Sequence, residues 1–370
     1  MNWLKYKRSF MLLVMAAILI MACSTEVSGQ GDGKEPSSEE SGDGGYLFAH
    51  MTGADYGKLF YSVSRDGITW ETLNRKEIIL NDYLGHPDIC EGPDVIGNAP
   101  RRWYMIGVVG GSPRVERPVL WHSTDLVLWK RMELDGDDFV VDHLGVYNEI
   151  PYIGAPKMFY DEDSGQFLIT WHAGQYMKKV WELQEAKAPT AEIEAAKRKN
   201  WETMTTCFTV TKDFKTFTRP KRFFSDHTAG DQAPLYFTGA DANIGMIDVI
   251  VRKFDGKYYA IVKDERWEDK APVTYKGIRV ASSDNLLGPY SALGPLITPH
   301  GVEAQIVLKT PEGKFRCYYE KLGSRVYAMR EATAMQGAQW KDVKISPPVA
   351  RHGCMIRVDE ETYQNILDNY

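Results

Sequence analysis

The sequence predicts an all-β fold for most of the chain, and two observations support this prediction. Runs rich in aromatic and β-branched residues recur along the chain, with turn residues between them. Three kinds of run follow one another in a constant order, which indicates an internal repeat. The composition, with 44% hydrophobic and 25% charged residues, is that of an ordinary globular protein. A net charge of −6 argues against nucleic acid as a partner, since phosphate binding requires a basic surface.

The first kind of run is an apolar strand that opens on a polar residue. It occurs five times, at 86–96, 154–161, 247–254, 302–309 and 351–358. The second kind is rich in aromatic residues and occurs at 101–109, 165–173, 256–265 and 313–321. The third kind often ends in a Ser/Thr-x-Asp turn and occurs at 119–129, 207–217, 278–290 and 325–332. The repeat unit is therefore a small sheet.

The fifth copy of the repeat is divided between the two ends of the chain. Residues 46–53 and 59–70 supply a second and a third strand near the N-terminus. The run at 351–358 should therefore pair with this hairpin, which is how a β-propeller closes its ring. The sequence thus predicts a five-bladed β-propeller over residues 46–358.

The N-terminal segment predicts export and a lipid anchor. A basic stretch with Lys5 and Arg8 precedes an apolar run at 10–22, which is too short to span a bilayer. The run ends at Cys23 in a sequence that resembles a bacterial lipobox. We therefore expect residues 1–23 to be a lipoprotein signal peptide and Cys23 to carry the lipid. The alternative is an uncleaved anchor helix, and both interpretations place the domain in the cell envelope.

The residues after Cys23 predict the location of the domain more closely. Ser24 is not a residue that retains lipoproteins in the inner membrane, so we expect attachment to the outer membrane. Residues 24–45 are rich in Ser, Gly, Glu and Asp and have no apolar periodicity. This composition predicts a flexible acidic tether between the lipid and the propeller.

Three further features complete the predicted organisation. Residues 174–204 have helix-forming composition and interrupt the second blade, either to shape a pocket or as a packing appendage. Residues 359–370 predict a short C-terminal helix. The remaining cysteines have no metal-binding spacing, and we expect buried thiols on strands, with a disulfide as the alternative. These cysteines are Cys90, Cys207, Cys317 and Cys354.

Candidate site residues lie near the start of the first-kind runs. In a propeller the first strand of each blade lines the central axis, so five separate segments converge there. The polar residues at these starts are His86, Asp88, Lys157, Asp248, Glu303, Arg351 and His352. An isolated buried carboxylate is costly. Asp248 and Glu303 therefore either cap a turn, or pair with Lys157 or Arg351, or belong to an active site. The recurrence of acids or histidines on the equivalent turn of four blades out of five favours the active site.

Two carboxyl groups in one pocket are the usual requirement for glycoside hydrolysis. One protonates the leaving oxygen, and the other activates water or acts as the nucleophile. Burial and neighbouring negative charge can raise the pKa of the acid into a useful range. Asp248 and Glu303 supply such a pair.

With these residues in place, the chain resembles glycoside hydrolase family 43 and related five-bladed propeller glycosidases. The resemblance extends over residues 46–358 and rests on short motifs in a fixed order. These are SRDGITWETLN (64–74), HPDICEGPD (86–94), GAPKMFYD (154–161), TVTKDFKTF (209–217), MIDVIVRKFDGKYYAIVKDER (246–266), VEA (302–304) and RHG (351–353).

The resemblance implies roles for residues on three blades. Asp248 matches an Asp that tunes the pKa of the acid and orients the substrate. Glu303 matches the proton donor. His352 matches a His near the axis that helps to organise a central ion or water. The resemblance therefore allows a structural ion, calcium or similar, near His352, and it implies that the reaction requires no cofactor.

Two blades depart from the family pattern. Where the family has an Asp before Pro, this chain has His86, and Asp88 follows. Either His86 is the general base, or a change of register makes Asp88 the base, or the usual mechanism is lost. Both side chains can point towards the axis, because residues two apart on a strand share a face. In the second blade, Lys157 replaces a family carboxylate. The candidate substrate-binding residues are Lys157, Arg266, Arg351 and His352.

The resemblance implies a glycosidase that removes terminal arabinofuranoside- or xyloside-like sugars from oligo- or polysaccharides with inversion. Inversion requires roughly 6.5–9.5 Å between Glu303 and the base. Two alternatives stay open. A non-catalytic glycan-binding lipoprotein is favoured by His86 at the base position. A glycoside phosphorylase would bind phosphate through clustered cations, and the candidates are Lys157, Arg266, Arg351 and His352.

Overall fold

Five antiparallel sheets form the blades of a β-propeller, which confirms the predicted fold. The computed structural model describes residues 44–109, 117–141, 153–174, 177–202, 204–223, 245–265 and 276–370. The predicted signal peptide with Cys23, nearly all of the predicted tether, and Arg266 lie outside the described residues. No helix in the described ranges has both the length and the apolar character needed to cross a membrane.

The sheet that closes the ring combines both ends of the described chain. Its strands are β1 (Gly45–Met51), β2 (Phe60–Ser64), β3 (Glu71–Thr72) and β19 (Arg351–Val358). β1 lies between β2 and β19, and its antiparallel register with β19 runs from Gly45 opposite Val358 to Met51 opposite Arg351. The predicted pairing of the C-terminal strand with the N-terminal hairpin is therefore confirmed.

The other four blades are each built from consecutive strands. The first contains β4 (Ile89–Gly92), β5 (Arg102–Val109), β6 (Arg117–Ser123) and β7 (Lys130–Glu133). The second contains β8 (Gly154–Asp161), β9 (Gln166–Ala173), β10 (Thr205–Thr211) and β11 (Lys221–Arg222). The third contains β12 (Met246–Phe254), β13 (Lys257–Asp264) and β14 (Gly277–Ser283). The fourth contains β15 (Val302–Lys309), β16 (Phe315–Lys321), β17 (Tyr327–Ala332) and β18 (Lys341–Val343).

Four blades carry a short outer strand that the repeat pattern did not predict. These strands, β3, β7, β11 and β18, contain two to four residues each. Such short segments are mostly exposed or half-buried, so they have no apolar pattern that the sequence could reveal. Two 3₁₀ turns, Asn74–Lys76 and Gly136–Phe139, lie in loops between strands.

Apolar side chains fill each interface between neighbouring blades, and the described residues form five such clusters. Between the last and first blades, for example, Leu47 and Ala49 pack with Met105 and Trp121. Successive residues of a strand point to opposite faces, and both faces of a blade meet a neighbour. All seven residues of β1 are accordingly buried.

The predicted helical insertion and the predicted free thiols are both present. Helices α1 (Met177–Glu185) and α2 (Thr190–Glu202) lie between β9 and β10 and pack against each other. The four cysteines of the described chain are free. Three of them are buried within strands, which agrees with the interpretation as buried thiols.

The C-terminal helix α3 (Glu360–Asn369) packs against the closed ring and stabilises it. Asp359 caps it by accepting a hydrogen bond from the backbone N–H of Thr362, and Tyr363 and Ile366 are buried against the core next to β1. Arg65 of the hairpin stacks on the ring of Tyr363, 3.8 Å from its centroid. The helix therefore supports the junction of the two chain ends.

We expect the substitution Ile366→Ala to lower the free energy of unfolding by about 2–5 kcal/mol, because it removes a fully buried side chain from this junction. The matched control is Leu367→Ala, at an exposed position of the same helix, which should cost less than about 1 kcal/mol. Urea unfolding followed by tryptophan fluorescence measures both. Equal losses for the two variants would show that α3 does not fasten the ring.

Candidate active site

A β-bulge recurs at the same level in four of the five inner strands. The register of β8, β12, β15 and β19 shifts close to its start. At each shift one non-glycine residue has a left-handed backbone: Ala155 (φ 42°), Asp248 (φ 51°), Ala304 (φ 54°) and His352 (φ 27°). Bulges redirect side chains, and left-handed non-glycine residues are strained and cluster at functional sites. The repeated bulge therefore marks one end of the axis as the candidate site.

A pocket of about 590 Å³ opens at this end, and all five blades contribute to its wall. Representative lining residues, in blade order, are His86, His172, Asp248, Glu303 and Arg351. The predicted site residues Asp248, Glu303, His86, Arg351 and His352 are thus brought together. No described residue of α1 or α2 lines this pocket, which favours a packing role for the insertion.

A buried lysine that the sequence analysis missed lies at the centre of the charged groups. Lys263 Nζ lies 2.6 Å from Glu265 Oε1, 2.9 Å from Glu303 Oε2 and 3.9 Å from Asp248 Oδ2. Burial alone would lower the pKa of Lys263, but the charges of Glu265, Asp248 and Glu303 raise it above its ordinary value. Lys263 therefore keeps its charge and holds carboxylates from two blades together.

The carboxyl groups of Asp248 and Glu303 are both held in the ionised form. Burial alone would raise the pKa of Glu303, but the charge and hydrogen bond of Lys263, with the charge of Arg325, lower it. Burial also acts to raise the pKa of Asp248, but a hydrogen bond with His172 and the charge of Lys263 lower it well below its ordinary value. The sequence-based expectation of a raised pKa on the acid is therefore wrong for the free pocket.

Two stacked imidazole rings lie beside these carboxylates, and His352 Nε2 is 3.7 Å from Glu303 Oε1. The rings of His86 and His352 lie 4.4 Å apart at an angle of 14°, and the Tyr56 hydroxyl lies 2.9 Å from His86 Nε2. Burial, with the charges of His352 and Lys157, lowers the pKa of His86 well below its ordinary value. Burial likewise lowers the pKa of His352 to about 3. Both rings are therefore neutral at physiological pH.

Comparison with known proteins assigns the chain to a family. The family model described as "Probable glycosyl hydrolase domain" matches residues 43–364, which cover the whole propeller and the first half of α3. The chain belongs to this glycosyl hydrolase family. An α-L-arabinofuranosidase of Bifidobacterium longum subsp. longum is 24% identical over 161 residues, which are 43% of this chain and only 12% of that relative.

Two solved structures share the fold of this glycosyl hydrolase domain. An α-L-arabinanase of Penicillium chrysogenum, complexed with arabinobiose, is 13% identical, with a TM-score of 0.50 over 84% of this chain and 79% of that chain. A family 43 β-xylosidase/α-arabinofuranosidase from a compost microbial metagenome, in complex with xylotriose, is 14% identical. Its TM-score is 0.50, over 83% of this chain and 93% of that chain.

Asp88, one of the two base candidates in this glycosyl hydrolase domain, lies outside the pocket. It is fully buried, and its Oδ2 accepts a hydrogen bond of 2.6 Å from the backbone N–H of Met158. Its Oδ1 lies 3.3 Å from Arg252 Nη2. Asp88 therefore links β8 and β12, and the register change that would expose it does not occur. Of the two candidates, only His86 lines the pocket.

Lys157 lies behind the pocket, in a small cavity on the propeller axis. His86, Asp248, Gln305 and His352 line the same cavity. Lys157 is only 7% exposed, and its charge contributes to the low pKa values of both imidazoles. Lys157 was predicted to bind the substrate, but it does not line the pocket that a substrate can enter. His86 and His352 line both that pocket and the cavity that contains Lys157.

The residues around His352 do not fit the central ion that the family resemblance allows. Glu303, Glu320 and His352 bring potential ligand atoms within 4.8 Å of one another. However, Arg325 lies 2.7 Å from Glu303, and Arg351 lies 2.6 Å from Glu320. Calcium takes about six to eight oxygen ligands. An ion would have to displace both guanidinium groups. The two arginines already supply the positive charge that balances Glu303 and Glu320.

We expect Lys263→Met to lower the free energy of unfolding by about 3–5 kcal/mol at pH 7.5, because it leaves buried carboxylates without their cation. Without Lys263, the pKa values of Glu303 and Asp248 rise, so protonation neutralises them as the pH falls. The difference from the unchanged protein should therefore shrink at about pH 4.5. Urea unfolding at the two pH values measures this.

The control for this prediction is Lys197→Met, at an exposed lysine that pairs with Glu194 on α2. Surface pairs of this type contribute less than about 1 kcal/mol, so this variant should unfold like the unchanged protein at both pH values. If Lys263→Met costs no more than the control at pH 7.5, the central role of Lys263 is refuted.

Proposed function

We propose that this chain is an exo-acting glycoside hydrolase that removes terminal pentose-type sugars, arabinofuranose or xylose, from oligo- or polysaccharides. The observation that carries the proposal is the convergence of Asp248 and Glu303, from neighbouring blades, on one buried ammonium beneath an open pocket. The names of the arabinofuranosidase, arabinanase and xylosidase relatives support the sugar class.

Three side chains carry out the proposed reaction. Glu303 donates a proton to the leaving oxygen, since its carboxyl group lies at the pocket wall and is accessible to a ligand. The neutral imidazole of His86 accepts a proton from the attacking water, which allows inversion. Asp248 stays ionised and faces the positive charge that develops on the sugar ring, and it also orients the sugar. Tyr56, next to His86, orients that imidazole through its hydroxyl group.

We also propose where the enzyme acts. The lipobox-like sequence at Cys23 and the acidic segment after it support a domain tethered to the outer membrane by lipid. A propeller on such a tether can reach glycans near the envelope without leaving it. Globomycin inhibition of processing and labelling with a lipid precursor test this part of the proposal separately from activity.

Hydrolysis is favoured over phosphorolysis by the pairing of the cations. Arg351 lies 2.6 Å from Glu320, and Lys157 lies in the axial cavity behind the pocket. These two predicted phosphate ligands are therefore engaged in other contacts, which favours water over phosphate as the nucleophile. An activity that depends on added phosphate would refute this choice.

The variants Glu303→Gln and His86→Ala should each lower kcat/KM by about 10²–10⁴-fold on aryl arabinofuranosides or xylosides, because each removes one proton-transfer group. Asp88→Asn is the control, since Asp88 does not reach the pocket. It should reduce stability but change kcat/KM by less than about tenfold. An Asp88→Asn loss as large as that of His86→Ala would reassign the base. Sugar binding without turnover, unchanged in all three variants, would indicate a glycan-binding protein instead.

The pH dependence of kcat/KM follows from the lowered pKa of Glu303. Only the protonated fraction of Glu303 can donate, and this fraction falls about tenfold per pH unit above its pKa. His86 stays neutral throughout, because its pKa is also lowered. We therefore expect kcat/KM to decrease steadily from about pH 5 to pH 8, and Lys263→Met to move the decrease to higher pH. A maximum near pH 7 would contradict a lowered pKa for the proton donor.

A further inference from the structure

The charges of the pocket are unevenly exposed. The side chains of Arg325, Lys276 and Arg351 are 47%, 23% and 18% exposed. Lys263 and the carboxylates of the same charged cluster, which are Asp248, Glu265, Glu303 and Glu320, are only 0–12% exposed. A ligand that enters the pocket therefore meets cations first, although the formal charges of these groups are nearly balanced. Binding of a neutral sugar alone does not require exposed cations at the entrance of the pocket.

Arg325 keeps most of its donors for a ligand. Its Nη1 lies 2.7 Å from Glu303 Oε1 and 3.4 Å from Glu320 Oε1. Its Nε and Nη2 donate no hydrogen bond to any residue in the described ranges. A guanidinium group has five N–H donors in a planar fork that matches a carboxylate or sulfate. The pairing with Glu303 fixes the group at the pocket mouth while its other edge remains available.

The backbone at this position supports a role in binding. Arg325 has φ 57°, in the turn between β16 and β17, and its N–H donates to the carbonyl oxygen of Lys321 over 2.8 Å. Glycine or asparagine adopts this left-handed conformation with less strain than arginine does. Other turns of the chain share this conformation, for example at Leu126 and Asp255, but Arg325 combines it with a place in the pocket wall. The chain therefore places an arginine at the mouth despite the strain.

We propose that Arg325 recognises an anionic group, a carboxylate or a sulfate, on the glycan that carries the terminal sugar. The anionic unit would lie at the pocket mouth, on the leaving-group side of the bond next to the proton donor Glu303. This inference rests on the proposed function for the identity of that bond. The substrate class is thus an acidic glycan, such as a uronic acid chain or a sulfated chain.

The test is calorimetric binding, because it does not require turnover. The full chain, solubilised in detergent, is titrated with trigalacturonate, with the same trisaccharide fully methyl-esterified, and with a sulfated galacto-oligosaccharide beside its unsulfated form. We expect the anionic member of at least one pair to bind at least about tenfold more tightly, and added salt to weaken this preference. A preference within the trigalacturonate pair identifies a carboxylate as the recognised group, and a preference within the galacto-oligosaccharide pair identifies a sulfate. Equal affinities within both pairs would overturn the proposal.

Arg325→Asn tests the residue, because asparagine suits the left-handed backbone and the variant should fold. It should remove the anionic preference, which is the ratio of the two affinities within a pair and so is independent of any loss that both members share. Arg325→Lys should keep part of the preference. The control is Arg101→Asn, an exposed arginine paired with Glu91 outside the pocket, which should change nothing. A preference that survives Arg325→Asn refutes the assignment. If no glycoside is hydrolysed but the preference is present, the proposed function fails, while the recognition of an anionic glycan by Arg325 stands.

Discussion

The buried ammonium of Lys263 is the interaction on which the site depends. It lies within 3.9 Å of Asp248, Glu265 and Glu303, and these carboxylates come from the third and fourth blades. Three buried carboxylates without a cation would repel one another and lose their hydration. Lys263 therefore allows two inner strands to present acids to the same pocket. It also sets their charge, because it lowers the pKa of both Asp248 and Glu303.

The propeller makes this arrangement possible by bringing distant segments to one axis. Each inner strand begins near the same level, and the bulges at Asp248, Ala304 and His352 turn neighbouring side chains into the pocket. Ring closure by β1 and β19 fixes the fifth wall, where Arg351 and His352 lie. The wall is therefore set by backbone pairing in all five blades, and the charged groups are ordered before any ligand enters.

Much of the site could be predicted, and each miss has a physical reason. His86, Asp248, Glu303 and His352 were identified because they begin strands that line the axis. Asp88 was not separated from His86, since both residues precede β4 (Ile89–Gly92), where strand alternation does not fix the direction of a side chain. The central position of Lys263 among the charged groups was not predicted, because Lys263 lies on β13, the second strand of its blade. Only its long side chain reaches the pocket.

The sequence by itself determined the five-fold order of strands, the closure of the ring by its two ends and the identity of the axial residues. These features are local or periodic, so apolar patterning records them. The tertiary structure alone decided which charges meet, because ion pairs such as that of Lys263 with Glu303 join residues far apart in sequence. It therefore also decided the protonation state of Glu303, since a pKa depends on burial and on neighbouring charges in space.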